Sequence, residues 1–288
     1  MNNLSESIKR IIIEEFTQLI NNMEFDFKKN YDKKTNNFLL NQLDSTLVAS
    51  MVFVSSFESK SGNAIEEVAQ RVARLKFGNE NVPSVVNPLG IKHNIDEDSV
   101  KGQIVISNTD FHSDELRGNI AQFRAKNMAY GRGRNRVESS VTQEKIENEL
   151  FPLHNRYLTK EIHTKPVDLA FRDEYGKWNI FELKAGGDLD SSNAPSNVEK
   201  LLTIYVGMGL KDTHVFFGTL YNKDGEGNTW KGIVKAHLNY PSMFAIGKNF
   251  WEMILPSGIS FDDFVNLYHD SLVEIDLSQR ISQMLKNV

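Results

Sequence analysis

Apolar positions recur at helical spacing over residues 5–23, where Ile8, Ile12, Phe16, Leu19 and Ile20 form one stripe. The pattern predicts an amphipathic helix. The polar run KKNYDKKTNN (28–37) reads as a loop, and the largely apolar stretch 39–57 as a buried helix. Residues 61–78 predict another helix, with Ser61 or Asn63 as its cap and acids in its first turn. Its core stripe is Ile65, Val68, Val72 and Leu75, and Gly78 is the stop. Further helices are predicted over 114–128, 140–150, from Pro195 or Ser196 to about 208, and over 260–268 and 271–286. Strands are predicted at 102–107, at 165–172 paired with 178–184, and at 213–221 paired with 230–238 through the turn NKDGEGN.

Strands interspersed with helices, without repeats or a linker, indicate one α/β domain spanning 1–288. Within it, residues 1–57 form an N-terminal helical part, 58–255 the core and 256–288 C-terminal helices. Composition, at 40% hydrophobic and 25% charged, is that of a soluble globular protein. The absence of cysteine excludes disulfides, thiolate nucleophiles and cysteine-bound zinc. The opening MNNLSESIKRIIIEEF has acids within its apolar stretch, and no run approaches a membrane span, so a cytoplasmic protein is expected. The net charge of -5 argues weakly against nucleic acid as a partner. Residues 117–136, RGNIAQFRAKNMAYGRGRNR, argue the other way, with six basic residues and no acid. On a helix, Arg117, Arg124 and either Lys126 or Asn127 would project towards one groove, arginine reading guanine and asparagine adenine. Arg132, Arg134 and Arg136, on a glycine-punctuated loop, would track phosphates. A solvated basic helix face is the plainer alternative.

The segment KPVDLAFRDEYGKWNIFELKAGGDLD poses a sharper question. If its turn is DEYGK (173–177), Asp168 lies opposite Glu182, with Cβ atoms roughly 5 Å apart on one face. Lys184, two residues on, shares that face. Val167, Leu169, Phe171, Phe181 and Leu183 fill the other as core. Facing carboxylates repel unless a cation lies between them, and a hard ion such as Mg²⁺ resolves the conflict. The backbone carbonyl of Leu183 would complete its coordination, and Lys184 would organise an attacking water. Lys160, Lys165 and Lys200 flank these residues and would hold a nucleic-acid backbone, with His163 close to it. Gly186 and Gly187 would allow close approach of a substrate, and Asp188 and Asp190 read as surface caps or cytosine acceptors. The bland reading is an ion-pair face on an edge hairpin.

Pro166-Val167-Asp168, thirteen residues, then Glu182-Leu183-Lys184 resembles the PD-(D/E)xK motif of restriction-type nucleases. With KPVDLAF, ELKAGGDLDSSNAP and GKNFWEMI, the chain resembles the TdeIII/MjaII-like type II restriction endonucleases, most clearly over 60–80 and 155–255. The resemblance implies a restriction-endonuclease-like core, a central mixed β-sheet flanked by helices, with extra helices at both ends. It implies a homodimer that cuts double-stranded DNA with Mg²⁺, Mn²⁺ substituting, at a short palindromic or interrupted site such as GGNCC. A cognate DNA methyltransferase would be its functional partner. Asp168, Glu182 and Lys184 match the catalytic motif, and Glu66, with Glu67 as fallback, matches an upstream acid. The apolar helices at 5–23 and 260–286 are candidate dimer surfaces. A repair or structure-specific nuclease, or a non-catalytic DNA-binding protein, are the other readings.

Overall fold

The computed structural model describes residues 3–186 and 189–286. In chain order its elements are α1 (Asn3–Thr35), α2 (Ser45–Phe77), β1 (Val85–Val86), β2 (Gln103–Thr109), α3 (Asp114–Asn127), α4 (Gln143–Glu149), α5 (Leu153–Arg156), β3 (Leu158–Val167), β4 (Leu169–Arg172), β5 (Trp178–Lys184), α6 (Asn193–Met208), β6 (His214–Thr219), β7 (Phe244–Ile246), α7 (Lys248–Ile254), α8 (Phe261–Glu274) and α9 (Leu277–Lys286). They group into two compact units, residues 1–72 with 255–288, and residues 73–254.

The first unit is helical. α1 buries the predicted stripe, Ile8 through Ile20, and packs on α8, where Phe16 meets Tyr268 edge-on. It continues through the polar run expected to be a loop, because lysines are good helix formers on a solvated face. Lys28 and Asp32 pair there one turn apart at 3.2 Å. The two helices expected at 39–57 and 61–78 are one helix, α2. Asp44 rather than Ser61 or Asn63 caps it, accepting the Thr46 and Leu47 N–H groups at 2.9 and 3.3 Å. Gly62 costs an exposed helix only about 1 kcal/mol relative to alanine, too little to break it. The helix stops before Gly78, whose φ of 84° suits glycine.

The second unit holds two mixed sheets where one was expected. In the first, β2 pairs parallel with β1 and antiparallel with β3; the second has the order β4-β5-β6-β7. β4 runs antiparallel to β5, which is followed in parallel by β6 and β7. The predicted strand at 230–238 is instead a loop with a short 3₁₀ turn at Ile233–Ala236, and β7 takes the place beside β6. Trp230, Val234 and Leu238 are wholly buried four residues apart, a helical spacing that the strand reading overlooked.

The chain passes from one sheet to the other at Asp168. Val167 still pairs with Gln103, and Leu169 already pairs with Phe181. The buried Gln103 side chain spans the junction, its amide donating to the carbonyls of Pro83 and Ala170 at 2.7 and 2.8 Å. Its oxygen accepts the Ala170 N–H at 2.8 Å. On one face of the second sheet Ala170, Ile180 and Phe217 pack with Val198, Leu201 and Leu202 of α6. On the other, Phe77, Phe171, Phe181 and Phe216 stack in a row, and Phe250 of α7 meets Phe181 edge-on. β5 is thus a central strand covered on both sides, which explains its nearly continuous apolar run.

Candidate active site

The register of β4 and β5, extended by one pair, sets Asp168 against Glu182. β4 is the edge of its sheet, but β5 is central, and the charged face is not solvated: Glu182 is 1% exposed. Asp168 Oδ2 accepts the backbone N–H of Leu183 at 2.8 Å, so the departing strand leaves a side chain where a ladder acceptor would stand. Lys184 Nζ donates to Glu182 Oε1 at 2.7 Å and to the Leu183 carbonyl at 2.8 Å, and lies 3.5 Å from Asp168 Oδ2.

The fourth member is Lys200, from α6. Its Nζ lies 2.8 Å from Asp168 Oδ1 and 2.7 Å from Glu182 Oε2. Both contacts are ion pairs at hydrogen-bonding distance. The sequence suggested Lys200 as a flanking DNA contact, and the structure places it between the two carboxylates. Its signal lay in α6 itself: the ionic residues Glu199 and Lys200, between Val198 and Leu201 in a helix packed on a sheet, each need a partner.

Burial raises the Glu182 carboxyl above its ordinary range and the negative Asp168 adds to this, while both lysines offset part of it. Burial would lower the ammoniums of Lys184 and Lys200, but Asp168 and Glu182 outweigh it and hold both raised. With the carboxylates ionised the cluster carries two charges of each sign.

The basic stretch divides. Arg124, 14% exposed, binds Glu199 at 2.7 Å and His237 Nδ1 at 3.1 Å. Burial first, and the Arg124 charge second, lower His237 to about 4. Asn127 is buried, donating to the Phe123 carbonyl and accepting from Ser140. Expected to read bases, these two are turned to internal partners, because the face of α3 they occupy packs on the core. Arg117, paired with Asp114, and Lys126, near Glu149 at 3.8 Å, stay exposed. Arg132 and Arg134 are exposed, and Arg136 pairs with Glu138 at 3.0 Å. Burial lowers the Lys165 ammonium, and the positive charges of Lys200 and Arg117 push it the same way. His163 contacts Thr159 at 3.0 Å.

Glu66 and Glu67 lie, half-buried, on α2 in the first unit. Gly187 and Asp188 lie outside the described residues. At Gly186 a Cβ would stand 2.6 Å from the Tyr221 ring, so this glycine answers to a neighbouring side chain. Asp190 bonds Ser192 and Asn193 at the start of α6, the role of a surface cap. GKNFWEMI is α7, whose Trp251 donates to the Leu220 carbonyl at 2.8 Å.

Two carboxylates facing two ammoniums thus form a charged cluster within a mixed α/β scaffold. A family model described as "Type II restriction endonuclease, HinfI" matches residues 1–271. The chain belongs to that family and is a type II site-specific endonuclease of double-stranded DNA. The matching model is that of HinfI, not of the TdeIII/MjaII-like group which the motif runs suggested. Comparison with curated proteins and with solved structures gives no match. No helix among the described residues is long and apolar enough to cross a membrane.

Proposed function

We propose that the endonuclease cuts through a PD-(D/E)xK-type site made of Asp168, Glu182 and Lys184, with Mg²⁺ as the cofactor and Mn²⁺ able to replace it. The carrying observation is that Asp168, at the junction of β3 and β4, faces Glu182 of the central strand β5 while Lys184 touches both. The residues fit a hard cation: the donors are all oxygen, and ammoniums already hold the same atoms. Asp168, Glu182 and the Leu183 carbonyl would hold it. An ion held by two carboxylates and a carbonyl keeps several waters. Bound there, the ion would polarise the phosphate and acidify a water. Lys184 orients that water and neutralises the charge that develops on the phosphate. Glu182 holds Lys184 in place, and Asp168 fixes β5 through the Leu183 N–H. The mechanism needs no contribution from Glu66.

Arg117, Lys126, Arg132, Arg134, Arg136 and Lys165 supply the DNA contacts in this reading. GGNCC followed from the TdeIII/MjaII resemblance alone, so no recognition sequence is proposed. A long natural duplex incubated with the protein and Mg²⁺ should give discrete fragments whose ends share one sequence. Random ends, or cleavage undiminished by EDTA, would sink the reading. A cell making such an enzyme needs a methyltransferase of the same specificity to protect its own DNA.

Cutting both strands of a two-fold site calls for two centres related by a dyad, hence a homodimer. The apolar stripe of α1, a candidate interface in the sequence, is spent against α8 inside the first unit. Exposed apolar side chains are concentrated instead at Phe38, Leu39, Leu43 and Leu47. Light scattering should show a dimer that becomes a monomer in Phe38→Asp/Leu39→Asp. A monomeric wild type refutes the homodimer, and a dimeric double variant refutes this surface.

A further inference from the structure

We propose that Lys200 is a placeholder for the divalent cation. It holds Asp168 and Glu182 together in the free protein and leaves them for a DNA phosphate when the metal binds. The inference rests on the nuclease site proposed above.

Each carboxylate divides its oxygens between two cations. Asp168 Oδ2 and Glu182 Oε1 face Lys184, at 3.5 and 2.7 Å. Asp168 Oδ1 and Glu182 Oε2 face Lys200, at 2.8 and 2.7 Å. Lys200 therefore stands on one oxygen from each acid, the pair that an ion bridging the two would take. A divalent ion cannot join this cluster as it stands, since it would add two positive charges within contact distance of two ammoniums. One lysine has to withdraw, and the two are not held equally. Lys184 has a third acceptor, the Leu183 carbonyl at 2.8 Å. Among the described residues Lys200 has only the two carboxylates.

Lys200 is also free to move. Its side chain is 30% exposed, and its ammonium rides on a flexible four-carbon stem. Lys200 and Arg117 both act on the Lys165 ammonium through their positive charge, and such a concentration of charge draws phosphate. A phosphate arriving there offers Lys200 a new partner as the metal takes the old ones. Metal and DNA then bind cooperatively, each lowering the cost of the other. The device also suits a nuclease, because the free protein resists holding a metal until its substrate is present.

Two measurements without DNA test this. Lys200→Met should melt below wild type in EDTA, and saturating Mg²⁺ should restore most of the difference. In calorimetric titration Mg²⁺ should bind the variant at least about tenfold more tightly than wild type. A lysine with a merely structural role predicts a melting deficit that Mg²⁺ does not repair. That result, or equal or weaker Mg²⁺ binding, overturns the proposal. Lys200→Gln, which keeps an amide donor for the carboxylates, replaces the Met variant if the latter does not fold. Wild type gives an independent readout: a duplex carrying its cut sequence should tighten Ca²⁺ binding by about tenfold or more, and no change overturns the proposal. Asp168→Asn separates the two levels of inference. If it cleaves like wild type, the nuclease site itself is misassigned. If it is inactive while Lys200→Met binds Mg²⁺ no better than wild type, only the placeholder fails.

Discussion

Lys184→Ala is expected to cut DNA about 10²–10⁴-fold more slowly than wild type, the range for losing one group that organises a proton transfer or stabilises transition-state charge. Asp168→Ala should be inactive, because it loses both a proposed metal oxygen and the acceptor of the Leu183 N–H. Binding to the cut sequence should survive in both, since affinity resides mainly in phosphate contacts made by basic side chains elsewhere. Removing Lys184 also leaves Glu182, already raised by burial, with one cation fewer, so melting curves have to accompany the rates. A folded Lys184→Ala that cuts with Mg²⁺ at near wild-type rate would exclude the mechanism. A slow variant with lost DNA binding would move Lys184 from the chemistry to substrate capture.

Gln103→Leu is the second large effect, and it acts on the scaffold. The Gln103 amide forms three hydrogen bonds, two of them to the N–H and carbonyl of Ala170 on the outer side of β4. Leucine would leave those groups buried without partners, at roughly 1–3 kcal/mol for each. A loss of about 3–5 kcal/mol in unfolding free energy follows, measurable by denaturant titration. The junction that Gln103 spans carries Asp168, so the variant should also cut more slowly at temperatures where it remains folded. An unfolding free energy within about 1 kcal/mol of wild type would mean that water satisfies Ala170 instead.

The core of the site was legible because a hairpin is a local structure. Once DEYGK is taken as the turn, the two-residue period of a strand puts Asp168 across from Glu182 and Lys184 on the same face. The observed pairing of Leu169 with Phe181 has this register. Helices with a complete apolar stripe and a stop signal, such as α3 and α6, were legible for the same reason. What misled were segments where local signals were weak. The cap-like residues Ser61 and Asn63 and the polar run at 28–37 looked like breaks in α2 and α1, although neither costs enough to end a helix. The three buried residues Trp230, Val234 and Leu238 looked like a strand.

Other features had no local signature. Whether an arginine faces DNA or an acid depends on what packs beside its helix, and Arg124 meets Glu199 of α6. That β5 is central rather than an edge depends on β6, which joins it in parallel after a crossover through α6. The burial of Glu182 follows from that crossover. By itself the sequence determined the pair of acids with its lysine, since strand periodicity needs only neighbours along the chain. Only the tertiary structure decided what lies between the acids, because Lys200 comes from a separate helix, 32 residues beyond Asp168, and reaches them through packing.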